Sequence, residues 1–134
     1  LDWGEVRIGV AVSDETQLIA SPRTTLTRRA GKRFPMPPFL AVIEEEQPVG
    51  LVVGLPLTAD GTEGPAATRA REMGALAAER TGLPLEFVDE RFSTARVLGT
   101  IRELGGSTRG RKEDVDALAA AVLLQQYLDM RRTR

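Results

Sequence analysis

The stretch Leu1-Asp2-Trp3-Gly4-Glu5-Val6-Arg7-Ile8-Gly9-Val10-Ala11-Val12-Ser13-Asp14 sets an acidic residue at a strand end, then a glycine turn, then a second hydrophobic strand. If the two strands form a hairpin, Asp2 sits inside a sheet, where an ionised carboxylate is costly unless a cation meets it. A metal ion would meet that need. The alternative is an ordinary turn built on Gly4 with Asp2 in solvent. The choice depends on whether other carboxylates fall in matching places.

Outward from this hairpin, residues 18–21 read as a third strand after the Asp14-Glu15-Thr16-Gln17 turn, which makes a meander. Residues 30–38 contain Gly31, Pro35, Pro37 and Pro38 and read as a loop, followed by a short helix over 39–46. Residues 50–54 form an apolar run bounded by glycines, the pattern of a strand covered on both faces. Pro65 opens a helix that runs to Thr81, with Ala67, Ala70, Met73 and Ala77 near helical spacing and Gly82 and Pro84 ending it. A strand is expected over 85–89, a helix capped by Ser93 over 94–104, a basic glycine-bearing loop over 105–112 and a last helix over 113–131. The pattern predicts a single α/β domain over residues 1–134, with a mixed sheet of antiparallel strands first and parallel strands after. Ligand sites of open α/β sheets lie beyond the carboxyl ends of the parallel strands, which is where Leu55 and Asp89 fall.

The composition narrows the chemistry. With 42% hydrophobic and 28% charged residues, the 134-residue chain has the balance of a globular protein with its own core. No apolar run approaches a membrane span, so no membrane partner is expected, and the absence of Cys fits a cytoplasmic setting. The chain also contains no His, which removes imidazole bases, Ser-His-Asp triads and His-ligated metals. Carboxylates remain, and their oxygens suit hard cations such as Mg²⁺ or Mn²⁺. The net charge of −1 argues against grip on nucleic acid by bulk charge. Two segments are locally basic, Arg28, Arg29, Lys32 and Arg33 in one and Arg109, Arg111 and Lys112 in the other; each is either a solvated loop or a contact for phosphates.

Two further acidic positions stand out. Asp89 and Glu90 end the fifth strand beside Arg91, as either a solvent-facing turn or part of a site. Asp116 shares a helix face with Ala120, Leu123 and Tyr127 and so looks inward. Helix-dipole stabilisation explains acid near a helix start but not this alignment. Carboxylates converging from such distant segments would hold one or two divalent ions and support phosphodiester hydrolysis. The Gly54-Leu55-Pro56-Leu57 turn, continuing through Asp60 to Gly64, could offer backbone N–H groups to a phosphate, as could the helix opened by Pro65.

These residues resemble the YqgF (RuvX) family of Holliday-junction-resolvase-like nucleases, which have an RNase H-like fold. The matching blocks are Asp2 to Asp14, Val52 to Leu57 with Asp60-Gly61, Asp89 to Thr94, and Lys112 through Val115-Asp116-Ala117-Leu118-Ala119-Ala120 with Leu124-Gln125. They follow the family's order and cover nearly the whole chain. The resemblance implies a five-stranded mixed sheet flanked by helices and a metal-dependent nuclease. Its catalytic and metal-binding residues would be Asp2, one of the Asp89–Glu90 pair and Asp116; Glu90 is favoured of that pair, with Asp89 as a second ligand or an orienting group. Substrate would meet Gly54, Pro56, Arg91, Thr94, Arg109, Arg111 and Lys112. The family is linked to trimming the 5′ end of pre-16S rRNA, and was proposed to resolve DNA four-way junctions, so the implied partners are RNA, branched or single-stranded DNA and the small-subunit precursor, with the chain a monomer or homodimer. Its members carry several hydrophobic residues before the first Asp, so the first strand is expected to begin upstream of Leu1. Two readings compete with a nuclease: a non-catalytic RNA-binding assembly factor, and a nucleotide-binding domain of the actin-like ATPase type, which also opens on a D-x-G hairpin but needs two domains around its nucleotide.

Overall fold

The structure, a computed structural model, describes residues 1–4, 6–28, 33–90 and 112–132. Its elements run β1 (Asp2–Trp3), β2 (Arg7–Ser13), β3 (Ala20–Thr27), α1 (Met36–Glu46), β4 (Leu51–Leu55), α2 (Pro65–Thr81), β5 (Leu85–Asp89) and α3 (Lys112–Arg132). β1, β2 and β3 form an antiparallel sheet in that order, and β4 and β5 pair in parallel. The fold is therefore α/β with both kinds of strand pairing. Among the described residues, Leu1, just before β1, reaches β4: Leu1 N donates to the Val52 carbonyl at 2.7 Å and Gly54 N–H to the Leu1 carbonyl at 2.9 Å.

Strand alternation sorts the side chains into two layers. Trp3 opposes Ile8 across the hairpin, and both join Val10, Leu51, Val53 and Leu55 in a core closed by Phe39 of α1 and the small residues Ala67, Ala70 and Ala77 of α2. Phe39 and Ile8 are at most 1% exposed, and burying each such side chain is worth about 1.5–3 kcal/mol. Gly74 brings α2 onto the sheet: a Cβ there would lie 3.2 Å from the Phe87 ring. On the opposite layer Asp2 opposes Gly9, and α3 covers this face with Ala117, Ala120, Ala121 and Leu123 buried beneath it. The helix sits so close that a Cβ on Gly9 would fall 2.0 Å from the Asp116 carbonyl oxygen. Farther along α3, the Gln125 side chain accepts from Ala20 N–H and donates to the Leu18 carbonyl, both at 2.8 Å, which ties the helix to the start of β3.

Two elements depart substantially from their expected bounds, and β4 is shifted by one residue to Leu51–Leu55. α1 starts at Met36, inside the segment read as a loop over 30–38, because Pro37 falls in the first helical turn, where a missing N–H costs no hydrogen bond and the fixed φ suits the helix. β3 runs from Ala20 to Thr27 rather than over 18–21; Thr24, Thr25 and Thr27 are β-branched and extend the ladder past Pro22 to Arg7. β2 and β3 carry a register shift at Val10/Ala11. α2 and β5 occupy the expected residues, and α3 extends one residue beyond them at each end. The helix expected over 94–104 and residues 105–111 of the basic loop lie outside the described residues.

Candidate active site

The hairpin delivers Asp2 to the face covered by α3, since Asp2 and Gly9 are cross-strand partners and share that face. The turn is held by Arg28, whose backbone N–H donates to the Val6 carbonyl at 2.8 Å and whose Nη1 donates to the Gly4 carbonyl at 3.0 Å. The same guanidinium stacks on Trp3, 3.9 Å from the ring centroid, and the residue is only 8% exposed. Arg28, read above as part of a basic segment, is thus an internal strut of the D-W-G turn.

Glu90 follows β5 immediately and reaches the same face. Its backbone N–H approaches the Leu55 carbonyl at 3.3 Å, and its carboxyl group lies over Gly54. A Cβ on Gly54 would stand 2.4 Å from Glu90 Oε2 and 2.6 Å from Leu123 Cδ1, so only glycine leaves room for this carboxyl beneath α3. Burial raises the Glu90 pKa to about 9, reinforced by a hydrogen bond with Asp2 and by the charges of Asp2 and Asp89. At neutral pH the Asp2–Glu90 pair therefore holds a shared proton. Its Oε2 is buried without a hydrogen-bond partner among the described residues. Such an orphaned oxygen beside a second carboxylate is a place that a cation would satisfy.

Asp116 arrives from the first turns of α3, where its backbone packs on Gly9, the strand partner of Asp2. Its carboxylate accepts from Arg7 Nε at 2.6 Å, in a pair whose side chains are 29% and 31% exposed. The described residues contain no group of three acidic side chains close enough to hold a metal ion. Of the three expected acids, Asp2 and Glu90 touch, and Asp116 shares their face but is engaged by Arg7. Asp89, half-buried at the end of β5, acts on the site through its charge on Glu90.

The expected phosphate cradle is corrected at several points. Gly54 N–H is committed to Leu1, Leu57 N–H to the Leu55 carbonyl, and Thr58, Gly61 and Thr62 N–H groups to partners inside their own turn. Pro56 has no N–H to give. Asp60 closes that turn by accepting from Thr58 and Thr62, which lowers its pKa to about 2. Gly54 therefore serves the site by leaving space for Glu90 rather than by donating an amide. Arg91, Thr94, Arg109 and Arg111 lie outside the described residues, and Lys112 begins α3. Arg7, Gly9, Gly54 and Arg28 were not expected in these roles; only the first hairpin's apolar-Gly-apolar run around Gly9 hinted at a close approach.

No helix among the described residues is long and apolar enough to cross a membrane. A family model described as RuvX, Holliday junction resolvase, matches residues 1–130. Curated proteins from Anaeromyxobacter dehalogenans (42% identical over 131 residues, 98% of this chain and 95% of the relative), a Roseiflexus species (39% over 132 residues, 98% and 93%) and Clostridioides difficile (39% over 131 residues, 98% and 92%) are similar to it. Each carries the name "Putative pre-16S rRNA nuclease".

Proposed function

The chain belongs to the RuvX family, and on that premise we propose that it is a divalent-metal-dependent nuclease that hydrolyses phosphodiester bonds in pre-16S rRNA. The observation that carries this reading is the Asp2–Glu90 pair: two carboxyl groups in contact under α3, one with an orphaned oxygen, beside a third on Asp116. Asp2, Glu90 and Asp116 would hold Mg²⁺ or Mn²⁺, whose oxygen preference suits them. The bound ion would lower the pKa of a water and stabilise charge on the leaving oxygen. The chain's own residues supply the rest. Gly54 admits Glu90, Arg28 fixes the turn after Asp2, and the Gly9 contact sets the depth of Asp116. The two described sheets read as one RNase H-like sheet of order β3-β2-β1-β4-β5, joined by the Leu1 hydrogen bonds to Val52 and Gly54. Arg91, Thr94, Arg109, Arg111 and Lys112 are the candidate contacts to RNA phosphates, and the cytoplasmic small-subunit precursor is the candidate assembly on which the protein acts.

Metal binding tests this reading directly. Millimolar Mg²⁺ or Mn²⁺ is expected to raise the melting temperature of the wild type and to leave Asp2→Asn nearly unmoved. Equal shifts in the two proteins, or none in either, would remove Asp2 from the proposed site.

A further inference from the structure

The ion pair between Arg7 and Asp116 joins residues 109 positions apart, and both ends are attached to the site. Arg7 lies two residues before Gly9 on β2, so its side chain emerges on the same face of the sheet as Asp2. Asp116 is fixed at its backbone by the Gly9 contact, which leaves its side chain as the adjustable part. Arg7 Nε holds Asp116 Oδ2 while Asp2 and Glu90 hold each other, and the three acids do not close into one ligand set.

We propose that Arg7 is a latch on the third carboxylate: its guanidinium neutralises Asp116 in the metal-free protein, and completing the metal site requires this ion pair to open. Arg7 is thus a positioning residue that acts through Asp116. The arrangement compensates charge that would otherwise face the Asp2–Glu90 pair, and it makes metal binding a competition between a guanidinium and a divalent cation for Asp116 Oδ2. The latch weakens metal affinity and in return keeps the empty site stable. This inference rests on the metal-dependent reading of the site.

Calorimetric titration of Mn²⁺ into wild type, Arg7→Gln, Asp116→Asn and the double variant separates the two. The latch requires Arg7→Gln to bind Mn²⁺ more tightly by about fivefold, equivalent to about 1 kcal/mol for a partly exposed ion pair, and to have no effect on affinity in the Asp116→Asn background. In the wild type, the Arg7 Nε–H resonance is expected to lose its hydrogen-bonded shift on saturation with Mg²⁺. Equal tightening in both backgrounds would mean that Arg7 acts only through its field, and unchanged or weaker binding in Arg7→Gln would make the pair structural or orienting; either overturns the proposal. Absence of binding in all four proteins overturns the metal reading and the latch together, whereas loss of the latch alone leaves Mn²⁺ binding and its dependence on Asp2 intact.

Discussion

Gly9→Ala tests how the fold sets the geometry of the site. Gly9 has no positive φ, so the substitution is a question of space alone. The new Cβ would fall 2.0 Å from the Asp116 carbonyl oxygen and 2.5 Å from its carbonyl carbon, atoms of helix backbone that cannot rotate aside. To restore ordinary contact at 3.4 Å, α3 must retreat by about 1.4 Å at Asp116. The helix is anchored farther along by Gln125 on Leu18 and Ala20, and Leu123 is 1% exposed beneath it, so it cannot lift as a free body. Overpacking of this kind costs about 3 kcal/mol, which lowers the melting temperature of a chain this size by about 10 °C. If Asp116 is catalytic as proposed, displacing its carboxylate by more than 1 Å is expected to reduce cleavage about 100-fold. The assay is a thermal melt beside single-turnover RNA cleavage at a temperature where both proteins are folded. Gly50→Ala is the control, because its Cβ would meet the Pro84 carbonyl at an ordinary 3.6 Å. If Gly9→Ala melts within about 2 °C of wild type and cleaves at the same rate, the close packing of α3 on β2 does not position Asp116.

Three other outcomes follow from the same geometry. Gly54→Ala meets only side-chain ends, Glu90 Oε2 and Leu123 Cδ1, so its stability loss should be smaller than that of Gly9→Ala, about 1–2 kcal/mol by denaturant titration, while the rate of cleavage falls sharply because the carboxyl of Glu90 is displaced. Since burial and Asp2 raise the Glu90 pKa from 4.5 to about 9, the stability linked to that proton is complete below pH 4.5 and is lost as pH rises through 9; metal-free wild type should therefore lose stability relative to Glu90→Gln between pH 5 and pH 9, and parallel melting curves across that window would contradict the assignment. Arg28→Ala removes the hydrogen bond to Gly4 and the stack on Trp3 and is expected to cost about 2 kcal/mol, measured by chemical denaturation, with a wild-type value meaning that the turn holds without it.

Local chemistry carried much of the fold. Pro65, Gly82 and Pro84 punctuate α2 and β5 so clearly that both elements occupy their expected residues. The prolines of α1 misled because the same residue types that break a helix interior also open a helix. In β3 the threonines at 24, 25 and 27 counted for more than Pro22 did against them. The site was legible only as a list of acids. That Glu90 meets Asp2, that Arg7 engages Asp116 and that Gly9 and Gly54 make room for them are relations between segments far apart in the chain, and nothing in a local window of sequence encodes which face two such segments share. Arg28 shows the same limit from the other side, since a basic residue in a basic stretch gave no sign that it would be buried against Trp3.

The most direct test of the central claim is cleavage of an RNA carrying the 5′ extension of pre-16S rRNA, beside matched single-stranded DNA and a four-way junction, by wild type and Asp116→Asn in Mg²⁺, Mn²⁺ or EDTA. The expected result is metal-dependent cutting of the RNA by wild type, abolished by EDTA and lost in a folded Asp116→Asn. Full activity of Asp116→Asn, or cutting that persists in EDTA, would contradict the site; binding of RNA without cleavage under every condition would point instead to an assembly factor.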